Sequence, residues 1–192
     1  MVLIIDTSGS MAGYLNDMAR RAATMVINTL TEVDYVTIVK YSSRASEALA
    51  GLHTGGLWRA TDATKDALIE WIYDNIDASG TTNFRAAFQK AWEVVDATTA
   101  SSNCNRIMLF LSDGEDPVWI WTDAQGVGTK AASYNPPMHV LTYGLGPIGN
   151  AAEVKLKDIA CRGNGIYYSV TADTIANTMA SYFQVRIARL DG

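Results

Sequence analysis

The sequence predicts an α/β fold, a doubly wound and mostly parallel sheet with helices on both faces. Three observations lead there. Several apolar runs, Val2–Asp6, Tyr35–Tyr41, Arg106–Ser112 and Met138–Leu145, are mostly continuous rather than alternating, as expected of strands buried on both faces. Amphipathic helical segments alternate with these strands, the pattern that builds a parallel sheet by crossover connections. The first run breaks off in Asp6-Thr7-Ser8-Gly9-Ser10, immediately before a helix. That places oxygen-bearing side chains at the carboxyl edge of the sheet, where open α/β folds bind ligands.

Taken in order, Val2 to Asp6 is the first strand, and a helix follows from about Gly13 to Leu30. Leu15, Met18, Ala19, Ala22, Val26 and Leu30 form its apolar face. The β-branched and aromatic run Tyr35 to Tyr41 is the second strand. Arg44 to Leu52, Ala-rich and weakly β-forming, is expected as an antiparallel edge strand. Thr61 or Asp62 caps a helix carrying Leu68, Trp71, Ile72 and Ile76. The loop Ser79-Gly80-Thr81-Thr82-Asn83 leads into a helix to about Ala97, with Phe84, Ala87, Phe88, Ala91 and Val95 on one face. Arg106 to Ser112 is a buried strand, and Glu115 to Pro137 is irregular apart from a short helix near Thr122 to Ser133. Met138 to Leu145 is a strand. Asn150 caps a helix to about Cys161, stopped by Gly163 and Gly165. Ile166 to Val170 is the last strand, and Asp173 caps a final helix with Ile175, Met179, Tyr182 and Phe183 inward.

With 192 residues, 48% of them hydrophobic and 18% charged, the chain suffices for one domain with a substantial core. It starts on a core strand and closes on a helix, so residues 1–192 are expected to be a single domain of a larger multidomain protein. The net charge of −5 and the lack of a basic run argue against nucleic-acid binding. No apolar stretch is long enough to insert in a bilayer as a helix. His53 and His139 lack metal-pair spacing and read as solvated or packing residues, and no Ser-His-Asp or Cys-His constellation is present. Cys104 and Cys161 stay open between two buried free thiols and disulfides, with each other or with segments elsewhere. Trp119 and Trp121 are equally open between an exposed aromatic rim and packing beneath their own loop.

The candidate ligand set is Asp6, Ser8, Ser10, Thr82 and Asp113, drawn from three distant segments. All are oxygen donors, two of them anionic, which suits a hard divalent cation and suits a soft metal poorly. Neutral hydroxyls bind such an ion weakly, and the two carboxylates supply the balancing charge. Ser112, Gly9 and Gly80 are expected to shape the loops. Thr81 is the rival to Thr82. Each motif alone reads equally well as a helix cap or turn; the three together point to a metal site.

Asp6-x-Ser8-x-Ser10 after an apolar strand, Gly80-Thr81-Thr82-Asn83 before a helix, and Asp113-Gly114 ending a later strand resemble the metal-ion-dependent adhesion site of von Willebrand factor A domains. The resemblance implies a Rossmann-like sheet in which the strands bearing Asp6 and Asp113 are neighbours. It implies that Ser8 and Ser10, with Thr82 in one state, bind the metal directly while the aspartates act through ordered water. Magnesium is the first expectation, calcium or manganese next. The stretches Asp34–Tyr41, Cys104–Leu109, Val140–Gly146 and Ile159–Tyr168 are further similar to the A domain of voltage-gated calcium channel α2δ subunits and their Cache-containing relatives. That family implies an extracellular, membrane-tethered setting and a cysteine at the position of Cys104 bridging to another part of the protein.

The expected function is thus a non-enzymatic, cation-dependent protein-binding module, with an acidic side chain of the partner, a channel or other surface protein, completing the metal. The alternative is an intracellular assembly subunit that docks onto an ATPase-type complex. Metal-assisted hydrolysis is the poorer option because no general base is evident.

Overall fold

The structure is a computed structural model, and it describes residues 1–51, 56–98, 105–114 and 116–179. Seven strands are β1 (Val2–Asp6), β2 (Tyr35–Tyr41), β3 (Ala45–Glu47), β4 (Trp58–Arg59), β5 (Arg106–Ser112), β6 (Met138–Leu145) and β7 (Tyr167–Val170). The helices include α1 (Tyr14–Asn28), α2 (Asp62–Asn75), α3 (Phe84–Ala97), α4 (Trp121–Ala132) and α5 (Asn150–Arg162). A 3₁₀ turn, Gly9–Met11, sits between β1 and α1. Residues 175–179 are also helical. No helix among the described residues is long and apolar enough to cross a membrane.

The sheet order is β3-β2-β1-β5-β6-β7, with β4 also pairing to β2. All pairs among β2, β1, β5, β6 and β7 are parallel, and only β3 and β4 run antiparallel to β2. From β1 the chain winds outward to β2 and its antiparallel neighbours, then crosses back to β5 on the other side. The winding therefore reverses between β1 and β5, and their carboxyl ends border the crevice.

The alternation hidden within β1 divides the core in two. Leu3 and Ile5 pack with α1, α2 and Met179 on one face, against Met18, Ala22, Leu68 and Ile72. Val2 and Ile4 pack with α3, α4 and α5 on the other, against Phe84, Phe88, Val127 and Ile159. Every side chain of β1 is buried.

The structure corrects several local expectations. The edge strand expected over Arg44 to Leu52 is confined to Ala45–Glu47, because Leu49 and Gly51 take positive φ and turn the chain away. The short β4 was not anticipated. α5 is capped by Gly149 in place of Asn150, which is already its first helical residue. Asp173 lies in a turn before residues 175–179, where Thr171 N–H donates to Thr174 Oγ1 at 2.9 Å. Thr61 does cap α2 and Asn83 caps α3. Ile175 and Met179 face the core as expected, while Tyr182 and Phe183 lie outside the described residues.

His139 is buried, with Nδ1 2.8 Å from the Asn164 carbonyl, a packed histidine as expected. His53 and Cys104 lie outside the described residues. Cys161 is a free thiol and exposed, where burial was one expectation.

The turn from α5 into β7 passes against β6 with no room for a side chain. A Cβ on Gly165 would stand 2.0 Å from the Val140 carbonyl oxygen. Gly165→Ala is expected to lower unfolding stability by at least about 2 kcal/mol, read as a lower urea midpoint with an unchanged m-value.

Candidate metal centre

β1 ends by placing Asp6 at the crevice with none of its surface exposed. Its Oδ1 accepts the Ser8 backbone N–H at 2.8 Å, closing a tight turn. Its Oδ2 accepts two hydroxyls, Ser112 Oγ at 2.6 Å and Tyr41 Oη at 3.0 Å. Both donors come from the strands flanking β1, since Tyr41 is the in-register partner of Asp6 and Ser112 ends β5. Packing fixes the Tyr41 ring, which stacks on Phe110 at 5.5 Å and meets Phe84 edge-on at 6.0 Å.

Beyond Asp6 the chain is stitched to the loop before α3. Thr7 O accepts Ser79 N–H at 2.7 Å, and Gly9 N–H donates to Gly80 O at 2.9 Å. A Cβ on Gly9 would lie only 3.3 Å from that same carbonyl, so glycine permits the approach. Gly80 has φ of 78° and borders the hydroxyls of Ser42 and Ser43. Thr82 is half-buried two residues on, whereas Thr81 is exposed. Asn83 then caps α3, its Oδ1 accepting Ala86 N–H at 3.0 Å.

On the third side, Ser112 Oγ accepts Gly114 N–H at 2.9 Å while donating to Asp6. This hydroxyl joins Asp6 to the Gly114 main chain, and the half-buried Asp113 lies between Ser112 and Gly114 in sequence. Ser8 is buried and Ser10 exposed, and their hydroxyl oxygens stand 3.1 Å apart.

The electrostatics are those of an uncompensated charge. Burial, opposed by hydrogen bonds from Ser112 and Ser8 and reinforced by nearby Asp113, pushes Asp6 up to about 6. Burial and then the Asp6 charge push Tyr41 well above its ordinary value, so Tyr41 remains a proton donor. The groups bonded to Asp6 are hydroxyls and an amide, none cationic.

This donor set fits a hard divalent cation. Octahedral magnesium with oxygens at 2.0–2.1 Å sets adjacent ligands roughly 3 Å apart, and the Ser8–Ser10 separation is 3.1 Å. The exposed Ser10 gives access from solvent. Among the described residues no group of three or more His, Cys, Asp or Glu converges; the candidate donors here are hydroxyls and two carboxylates.

A model of the von Willebrand factor type A domain matches residues 1–181. The chain belongs to the von Willebrand factor type A family. It is 28% identical over 172 residues to the voltage-dependent calcium channel subunit alpha-2/delta-2 of Homo sapiens, covering 88% of this chain and 14% of that protein. It is 27% identical over 187 residues to the human alpha-2/delta-4 subunit, covering 93% of this chain and 16% of the relative. The uncharacterized protein YfbK of Escherichia coli (strain K12) is 28% identical over 169 residues, covering 87% of this chain and 27% of YfbK. The chain thus spans only a small part of each of these relatives. Among solved structures, a von Willebrand factor type A protein from Catenulispora acidiphila shares the fold with a TM-score of 0.79 at 22% identity, over 94% of this chain and 41% of that one.

Within this type A fold the two tryptophans separate. Trp119 is 6% exposed and packs on Phe84 and Phe88, whereas Trp121 is 63% exposed at the start of α4. Two polar residues near the centre were not anticipated. Tyr41 could have been found from its place at the end of the strand beside Asp6. Asp116, wholly buried, accepts Phe84 N–H at 2.8 Å and Val118 N–H at 2.9 Å, joining the loop after β5 to the start of α3. Its partners are distant in sequence and left no local signal.

The raised Asp6 value has a definite sign. Between about 4 and 6 the metal-free folded state holds a proton that the unfolded chain has released, so this group's contribution to stability falls as pH rises through that window. Asp6→Asn removes the ionisation. In chelator, its stability relative to wild type is expected to improve by about 2–3 kcal/mol between pH 4 and pH 7, measured by urea unfolding at both pH values.

Proposed function

We propose that this type A domain is a divalent-cation-dependent protein-binding module without enzymatic activity, and that Asp6, Ser8, Ser10, Thr82 and Asp113 form its metal centre. The observation that carries the reading is the Ser8–Ser10 hydroxyl pair, 3.1 Å apart, beside a buried carboxylate with no cationic partner among the described residues. The hydroxyls would hold magnesium, with calcium or manganese as substitutes, and the carboxylates would balance its charge. An ion held by few protein ligands keeps positions for water, one of which an acidic side chain of a partner protein can take.

Several features support a binding role over catalysis. Both oxygens of Asp6 are engaged by hydrogen-bond donors, so it is poorly placed to act as a general base. Val118 and Ile120 are exposed in the loop that follows Asp113 and Trp121 at the start of α4, and apolar side chains beside a candidate site suit a protein partner. Their backbone is held firmly: Arg85 donates to Val118 O, and Asp123 accepts Ile120 N–H. Similarity to calcium channel alpha-2/delta subunits supports a domain of a larger extracellular or membrane-tethered protein, with a channel or surface protein as the partner class. The relatives do not favour the ATPase-docking alternative.

Titration of the chelator-stripped domain with magnesium, then calcium, tests the centre by calorimetry. Wild type is expected to bind one ion saturably, with binding abolished in Asp6→Ala and Asp113→Ala. At a hundred times Kd the ion should add roughly 2.7 kcal/mol of stability, seen as a rise in Tm that chelator reverses. A folded wild type that binds neither ion would overturn the proposal.

A further inference from the structure

Beside the candidate centre lies a cavity of about 370 Å³ whose walls include Tyr14, Ile148, Glu153, Tyr167 and Ser169. Two of its walls are tied to the loops of the centre. Tyr14 is four residues after Ser10, a reach of at most about 14 Å of chain. Glu153 follows Ala152, against which Gly114 packs so closely that a Cβ there would stand 2.8 Å from the Ala152 Cβ; Gly114 adjoins Asp113.

The lining is rich in acceptors and aromatic faces. Glu153, Tyr167 and Ser169 stand together on its wall. Lys157, one helical turn after Glu153 in α5, lies with Nζ 3.0 Å from Glu153 Oε1 and 5.4 Å from the centroid of the Tyr167 ring. An ammonium held by a carboxylate and a ring face is a favourable arrangement. This pair is partly exposed, however, with 56% of the Lys157 side chain and 34% of the Glu153 side chain accessible. Such pairs are weak and exchange readily, so an incoming cation can displace Lys157.

We propose that this cavity is a cation-accepting subsite that receives a lysine or arginine side chain of the partner, with Glu153 and Tyr167 as its principal contacts. The proposal rests on the protein-binding reading above and deepens it: the partner segment carries a basic residue close to the acidic residue that completes the metal. Lys157 occupies the rim when no partner is bound. The subsite would give register to a contact that a metal–carboxylate bond alone leaves free to rotate.

The test uses metal-free protein in chelator, so it does not depend on the ion. n-Butylammonium and n-butylguanidinium are titrated against backbone amide NMR signals, with n-butanol as the neutral control. Saturable shifts centred on Gly146, Glu153, Tyr167 and Ser169 are expected at millimolar concentrations. Glu153→Gln should weaken binding at least about tenfold, as loss of a charge-assisted contact implies. Lys157→Ala should strengthen it. Tm measurements confirm that each variant folds. Non-saturating shifts spread over the acidic surface, equal shifts with n-butanol, or undiminished binding in Glu153→Gln would overturn the subsite. Cation binding that persists in a protein unable to bind magnesium or calcium would separate failure of the metal reading from failure of this one.

Discussion

A buried carboxylate whose hydrogen-bond donors are all neutral is the constraint from which the rest of the candidate centre follows. Asp6 ends a strand whose neighbours on both sides are also strands, so water is excluded from it by construction. A charge in that position is costly unless it is hydrogen-bonded or neutralised. Each surrounding feature supplies part of an answer. Ser8 N–H, Ser112 Oγ and Tyr41 Oη occupy its oxygens, and two of these donors belong to elements that must be held still. The Phe84, Phe88 and Phe110 cluster serves that end: Phe110 stacks on both Tyr41 and Phe88, and Phe84 closes edge-on. Core packing on one face of the sheet thereby fixes a hydroxyl at its edge.

The second layer of support is main-chain rather than side-chain. Thr7 and Gly9 bind Ser79 and Gly80 through backbone groups alone, so the relative position of two loops some seventy residues apart is largely independent of their side chains. The Ser8 and Ser10 hydroxyls, which meet at 3.1 Å, are thus not needed to hold these two loops together. Ser112 does the reverse. Its hydroxyl donates to Asp6 and accepts from Gly114, so both its hydrogen-bonding capacities serve the scaffold.

What was legible in the sequence follows the same division. Strands buried on both faces announce themselves as apolar runs, and β1, β2, β5 and β6 were read with their observed bounds. Helices with clear amphipathic faces, α1 and α3, were equally plain. Legibility failed where local propensity was weak or overruled. Ala45–Glu47 could not be told from the turn that follows it, because positive φ at Leu49 has no residue signature. β4 is two residues long and exists only through its pairing with Tyr35 and Val36. At the centre, short-range motifs marked Asp6, Ser8 and Ser10, but Tyr41 and Asp116 act across 35 and 32 residues, to Asp6 and Phe84 respectively. Contacts of that kind are set by topology, and residue spacing does not encode them. The two tryptophans make the same point: both are aromatic and two residues apart, yet the loop buries one and exposes the other.

The buried charge also bears on how such a centre can respond to a cation. Were Asp6 fully compensated by a lysine or arginine, the metal-free fold would be more comfortable and a divalent ion would have to displace an existing partner. Hydroxyl donors stop short of that. They lower the cost of the carboxylate enough for the strand to fold, yet leave it above its ordinary proton affinity and beside a second acid, Asp113. A cation arriving at Ser8 and Ser10 would relieve both effects at once, so the unfavourable electrostatics around Asp6 would become part of the driving force for binding. Greater stability in the metal-free state and stronger cation binding are therefore opposed at this position. Tyrosine and serine rather than a basic residue around Asp6 would suit a cation-responsive centre of the kind proposed.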